Sequence, residues 1–271
     1  MATQLGRRYR QGRDLWQFAG ASGIAEGARR AAAEWIAPKT SVLPVLRTDV
    51  IAADIAQPRS SRIPPILPGQ PLLVNWVTTP PSAGSGGHTT LFRIVRYLEA
   101  HGYRNRIYFY DVYRGDHRYY HSIVRDYYNF HGAVESVIDG MDDAHAVIAT
   151  GWPTAYAVFN STCAGKRFYF VQDYEPSFHP VSTASLLAEN TYRMGFHAIT
   201  AGKWLALKLN KDFAMAADSF EFGCDTSTYL CAPNSKRTGL VFYARPEASR
   251  RAFELGLMTM ELLASRRPEI D

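Results

Sequence analysis

The chain has 271 residues, enough for one α/β domain with a sizeable core, or for one domain and part of another. Hydrophobic residues make up 46% and charged residues 20%, both values of a globular protein, and the formal net charge of +5 fits an anionic ligand such as a nucleotide or an anionic membrane surface. Three cysteines, Cys163, Cys224 and Cys231, are too few and too scattered for a disulfide framework, and a reducing cytoplasm is the default setting. No apolar run approaches the ~18 residues that cross a bilayer, and the basic residues 1–10 lack the apolar stretch of a signal peptide.

In chain order, the spacing of Ala25, Ala28, Ala32, Trp35 and Ile36 predicts a helix over residues 22–36. Repeated prolines then interrupt any pattern, and residues 56–71 read as an irregular lead-in. From Leu72 the rhythm changes. Leu72-Leu73-Val74-Asn75-Trp76-Val77 is a buried strand, Ser85-Gly86-Gly87 a glycine loop, and a helix opens at His88. Leu91, Ile94, Val95 and Leu98 share one stripe of that helix, and Gly102 stops it. Strands follow over 106–112, 146–150, 167–172 and 197–200, and helices over 119–130, 154–161, 183–194 and 203–209. Short apolar strands alternating with helices predict a Rossmann-like parallel sheet with helices on both faces, whose ligands sit at the C-terminal strand ends. A last apolar strand over 239–244 and a helix over 247–265 read as the opening of a second α/β domain that is incomplete here. The expected organisation is an irregular or helical extension over 1–70, a Rossmann-like domain over 71–235, and the start of a second domain over 236–271.

Three passages resemble the family-4-type glycosyltransferases of two-Rossmann-domain (GT-B) architecture, and among them the bacterial rhamnosyltransferases of rhamnan and O-antigen synthesis. They are Ser85-Gly86-Gly87-His88-Thr89-Thr90, Tyr169-Phe170-Val171-Gln172-Asp173-Tyr174-Glu175-Pro176-Ser177-Phe178, and Phe242-Tyr243-Ala244-Arg245-Pro246 with Arg250-Arg251-Ala252-Phe253. Phe222-Gly223-Cys224-Asp225 is similar to the passage that leads from one domain to the other. The resemblance covers about residues 70–265. It implies an N-terminal half that holds the acceptor sugar and a C-terminal half that holds the nucleotide-sugar donor. It further implies transfer of rhamnose from dTDP-rhamnose to a growing surface polysaccharide, with retention and without a bound metal. Many relatives in the wider family carry histidine where Gln172 stands; the rhamnosyltransferase group shares the Gln-Asp form. The family's paired glutamates of the late donor domain have no counterpart. Glu261 and Glu269 have the spacing, but Pro268 interrupts it and the match is read as chance. The chain alone is therefore expected not to turn over dTDP-rhamnose, and a form extended through a complete second domain is expected to do so.

Taken singly, Gly86 and Gly87 let backbone N–H groups approach a diphosphate or a sugar, though a plain strand–helix turn uses the same residues. His88 can hydrogen-bond a sugar hydroxyl or a phosphate, or simply cap its helix. Gln172, Asp173 and Tyr174 follow a strand end. Asp173 can hold acceptor hydroxyls or act as acid or base, which makes Asp173 and His88 the candidate catalytic residues. Tyr174 can stack on a sugar face or belong to the core. For Glu175 a loop ion pair or a helix cap is the favoured reading. Arg245 is the candidate cation for the departing diphosphate, with Arg250 and Arg251 nearby.

Tyrosines 108, 110, 113, 119 and 120 interleave with arginines 104, 106, 114 and 118, a pattern able to bind nucleic acid that fits none of its signatures. No nucleic-acid partner is expected. His117 and His121 lack a third metal ligand, and no metal or cofactor is assigned. The expected partners are a nucleotide sugar and a glycan or lipid-linked glycan acceptor; peripheral contact with the inner face of the cytoplasmic membrane and a homodimer are compatible with the reading. The alternative is a non-catalytic glycan- or nucleotide-binding half-domain that works with a partner. The missing Gly-x-Gly-x-x-Gly fingerprint argues against a hydride-transfer enzyme.

Overall fold

The structure, a computed structural model, describes residues 20–21, 25, 27–29, 31–33, 35–36, 42–58, 62–226, 229–230, 239–246 and 248–269. The chain divides into two compact units, Met1–Leu43 and Pro44–Asp271. In the first, the described positions between 20 and 36 are helical, as their apolar spacing predicts; Ser22 lies outside the described residues.

The second unit is built on a seven-stranded sheet in the order β3-β2-β1-β4-β5-β6-β7. Its strands are β1 (Leu73–Thr78), β2 (Arg104–Phe109), β3 (Ala133–Ser136), β4 (Ala146–Ala149), β5 (Lys166–Val171), β6 (His197–Ala201) and β7 (Ala217–Phe220). Every neighbouring pair is parallel. Strand order reverses between β1 and β4, and the crevice outside the carboxyl ends of those two strands is where such sheets take ligands.

The strands alternate faces, as a period of two requires. Val74 and Trp76 of β1, Ile107 and Phe109 of β2 and Phe170 of β5 meet Leu91, Phe92 and Val95 of helix α2 (Gly86–Ala100). Gly102, at φ +84°, ends that helix in a conformation that favours glycine. Helix α3 (His117–Ser122) starts on Asp116, whose carboxylate accepts from the N–H groups of Arg118 and Tyr119. It runs directly into a π-helical turn, Ile123–Tyr127, where Tyr128 N–H reaches back to the Ile123 carbonyl. Tyr128 then stacks on Phe92 at 4.6 Å and donates its hydroxyl to the Ser82 carbonyl at 2.7 Å.

On the other face lies α4 (Trp152–Asn160), buried from Trp152 to Phe159. A helix that is apolar all round belongs inside, and α4 has that character. Against it packs α1 (Arg47–Ala52), held by a hydrogen bond from Asn160 to the Asp49 carbonyl and by Tyr110, which donates to Asp49 Oδ2 and accepts from Leu46 N–H. Helices α5 (Thr183–Asn190) and α6 (Lys203–Phe213) cover the far side of the sheet, and α7 (Phe253–Arg266) closes the described chain.

Four expectations are corrected. The helix predicted to open at His88 opens at Gly86, because Ser85 adopts the extended N-cap conformation and the glycines form the first turn. The strand predicted over 106–112 is Arg104–Phe109, ending where the pairing with β1 ends. Residues 239–244, predicted as the first strand of a second domain, form no strand. An apolar run without a neighbouring strand leaves its backbone groups unpaired and gains nothing from extension. The following helix, predicted over 247–265, spans Phe253–Arg266 after a 3-10 turn over Ser249–Arg251, and Glu247 lies outside the described residues.

Candidate functional site at the strand-order reversal

A cleft of about 130 Å³ opens at the crossover between β1 and β4. Thr78 and Thr79 at the end of β1 form one wall, Thr150 and Gly151 after β4 the floor, and Gln172 after β5 the far wall. Ser85, Gly87 and His88 of the α2 N-terminus close it from above. Gln172 spans the opening, donating from Nε2 to the Gly87 carbonyl at 3.2 Å.

His88 is held at both ring nitrogens. Nε2 lies 3.1 Å from the Thr79 carbonyl and 3.3 Å from Thr78 Oγ1, and Nδ1 lies 2.9 Å from Ser85 Oγ. A carbonyl only accepts, so Nε2 carries the proton and Nδ1 accepts from the Ser85 hydroxyl. The Ser85 side chain consequently makes no cap bond to its own helix. Burial holds the His88 pKa below the usual imidazole value, with the Thr79 carbonyl acting in the opposite sense. The ring is a neutral brace across the β1–α2 turn.

Thr154 organises the floor. Its Oγ1 accepts from the N–H groups of Thr150 and Gly151, at 3.0 and 3.1 Å, and donates to the Gly151 carbonyl at 2.8 Å. Gly151 has no side chain with which to cap α4. That work falls to Glu175, whose Oε2 accepts from Trp152 N–H at 2.5 Å. Glu175 is buried, and burial pushes its carboxyl up to about 7 against the hydrogen bond from Trp152 and the nearby Tyr169 hydroxyl.

Asp173 stands beyond Gln172. Its Oδ1 accepts from Tyr174 N–H at 2.8 Å, and its Oδ2 pairs with Arg250. Tyr174 turns away from the cleft. It stacks on Tyr192 with centroids 5.8 Å apart, under the Lys208 ammonium at 4.5 Å. Arg245 lies in the irregular segment 239–246, where it donates to the Tyr243 hydroxyl at 3.4 Å.

The structure thus gathers Gly87, His88 and Gln172 around one cleft, with Gly86 beside Gly87 in the first turn of α2 but not lining it and Asp173 following Gln172, and puts Tyr174 into an aromatic stack. Sequence reasoning missed Thr150 and Thr154, although a Thr-Gly pair closing a short apolar strand marks a strand end. It also missed the hold of Arg250 on Asp173. A larger cleft, of about 670 Å³, lies at the opposite edge of the sheet. Its two arginines are already engaged: Arg167 donates to the carbonyls of Ser161, Cys163 and Gly165, and Arg62 pairs with Asp143. Among the described residues no three His, Cys, Asp or Glu side chains are placed to hold a metal ion, and no helix is long and apolar enough to cross a membrane.

The cleft falls almost entirely within a stretch that has known counterparts. Residues 81–201, from the β1–α2 turn to the end of β6, match the family described as WsaF, N-terminal domain. Over 118 residues the chain is 39% identical to the O-antigen biosynthesis protein RfbC of Myxococcus xanthus. That similarity takes in 43% of this chain and 9% of the Myxococcus protein, so the chain is similar to a small part of a much longer one.

Proposed function

We propose that this chain supplies the acceptor-side part of a glycosyltransferase of glycan biosynthesis. The observation that carries the reading is the convergence of the α2 N-terminus and Gln172 on the crossover cleft, with Asp173 next in the chain, inside the stretch that matches the WsaF N-terminal domain. The similarity to an O-antigen biosynthesis protein points to the same chemistry. The finer reading is a retaining, metal-independent transfer of rhamnose from dTDP-rhamnose to a glycan or lipid-linked glycan, at the cytoplasmic face of the inner membrane.

In this reading the protein works by positioning and by electrostatic stabilisation of an oxocarbenium-like sugar and its departing diphosphate. The unshielded N–H groups of Gly86 and Gly87 face developing negative charge at a helix N-terminus. Arg245 and Arg250 supply permanent cations for the diphosphate. Asp173 receives the acceptor hydroxyl when Arg250 turns to the donor. His88, neutral and braced, keeps the first turn of α2 in place.

Calorimetry and saturation-transfer NMR with dTDP-rhamnose and with a rhamnose oligosaccharide test the proposal. The oligosaccharide is expected to bind the wild type and to be lost in Gly87→Val, which narrows the approach to α2 while leaving thermal stability near the wild type. Failure of the wild type to bind either probe overturns it.

A further inference from the structure

Glu175 is the buried carboxyl that joins two walls of the cleft. Through Oε2 it takes the N–H of Trp152, the first residue of α4, and so fixes the turn that carries Thr150 and Gly151. Its own N–H donates to the Tyr192 hydroxyl at 3.1 Å, which fixes the loop that carries Gln172 and Asp173. Beside the carboxyl, the Tyr169 hydroxyl is fully buried and has no hydrogen-bond partner of acceptable geometry among the described residues. The groups facing Glu175 are Tyr169 from β5, Tyr192 from the turn after α5, Asp173 from its own loop, and the α4 N-terminus. Three of these four carry no positive charge, and the only positive end is the partial one of a helix dipole. An ionised carboxylate there is poorly compensated. A protonated one keeps the Trp152 bond and gains a donor for the orphaned Tyr169 oxygen.

We propose that Glu175 is a positioning residue of the cleft: a proton-bearing tie that sets the spacing between the β4–α4 turn and the Gln172–Asp173 loop. It touches no reacting atom. It acts through the two segments it joins, and the state of its proton decides how firmly they are joined. The proposal rests on the sugar-transfer reading only for what the cleft holds.

Glu175→Gln reproduces the protonated form, accepting from Trp152 and donating to Tyr169. Glu175→Ala removes the tie. The amide signals of Gly151 and Trp152 in the wild type are expected to titrate with a midpoint near 7, and in Glu175→Gln not to titrate. Amide exchange at Trp152 is expected to rise about tenfold in Glu175→Ala and to stay within about twofold in Glu175→Gln. Affinity for the rhamnose oligosaccharide in the wild type is expected to fall between pH 6 and pH 8, and in Glu175→Gln to stay level. Persistence of the titration in Glu175→Gln overturns the proposal, as does an absent titration in the wild type. Should Glu175→Ala fail to fold, the wild-type and Glu175→Gln titrations decide. If the wild type binds no sugar while the amides behave as stated, the sugar reading falls and the positioning role stands.

Discussion

Arg250 donates a hydrogen bond to the carboxylate of Asp173 and lays its guanidinium over the Phe178 ring, 4.1 Å from the centroid. The two side chains are 31% and 45% exposed. An ion pair this open to water is worth ~0.2–1 kcal/mol. Arg250→Ala should therefore shift the thermal midpoint little. If the cation serves a diphosphate, the same change should weaken dTDP-rhamnose binding about tenfold or more, the value of a charge-assisted hydrogen bond. Arg245→Ala should act in the same direction and leave acceptor binding unaffected. Calorimetry on both variants checks this, and equal losses for donor and acceptor would sink the diphosphate role.

His88 should titrate below the usual imidazole range. Burial disfavours its charged form, so the folded-state value lies under the unfolded one. The sign follows from linkage. Stability owed to the neutral ring is intact above about pH 6.5 and is lost as the pH falls through the lower folded value. Histidine signals followed by two-dimensional NMR should place His88 at the acidic end. Denaturant unfolding of His88→Gln should show a weaker loss of stability between pH 7 and pH 5 than the wild type.

Two glycines should behave in opposite ways. At Gly165, with φ +140°, a Cβ would stand 2.6 Å from the Ala144 carbonyl oxygen and 2.8 Å from Val147 Cγ2. Backbone cannot move aside there, and Gly165→Ala should cost about 2 kcal/mol or more. At Gly87 the nearest atoms are those of the Gln172 amide, at 3.5 to 4.0 Å. Gly87→Ala should fold as well as the wild type, or better by about 0.5–1 kcal/mol, the helical preference of alanine. Chemical denaturation of the pair gives both numbers.

Tyr110→Phe should loosen α1. The hydroxyl donates to Asp49 Oδ2 at 2.6 Å and accepts from Leu46 N–H at 2.8 Å, and burial together with Asp49 raises its pKa well above the ordinary phenol value. Its loss strands a carboxylate and a backbone donor, at about 1–3 kcal/mol. Proteolysis near residues 46–52 should quicken in proportion. An unchanged cleavage rate would show that Asn160 alone holds the helix.

The central strands were legible because they are covered on both faces. Val74-Asn75-Trp76-Val77, Ala146-Val147-Ile148-Ala149 and Phe168-Tyr169-Phe170-Val171 read as near-continuous apolar runs. The edge strands were not. Ala133-Val134-Glu135-Ser136 and Ala217-Asp218-Ser219-Phe220 each pair on one side, and half their side chains meet water. The apolar run over 239–244 misled in the other direction, since hydrophobicity without a partner does not make a sheet. At the site, Gly87, His88 and Gln172 were found because strand ends locate ligands in this fold. Glu175 was read as an ion pair or a helix cap, and it does cap α4; which helix it caps and how deeply it is buried were hidden, because its partner Trp152 is 23 residues away. The Arg250 contact was hidden for the same reason, at a separation of 77 residues.

The π turn at Ile123–Tyr127 makes this part of the chain intolerant of length change. Its wide turn holds one residue more than an α turn, so Tyr128 arrives at the right angle to meet Phe92 and Ser82. Deleting one residue from 123–127 would restore regular helical winding and swing Tyr128 by about 100°. The tyrosine would leave its stacking partner, and the Ser82 carbonyl would lose its shorter hydrogen bond at the start of the turn that leads to Ser85 and His88. A deletion scan should thus find the π turn less forgiving than the irregular residues 112–116 before α3, because it gauges a distance that the cleft depends on.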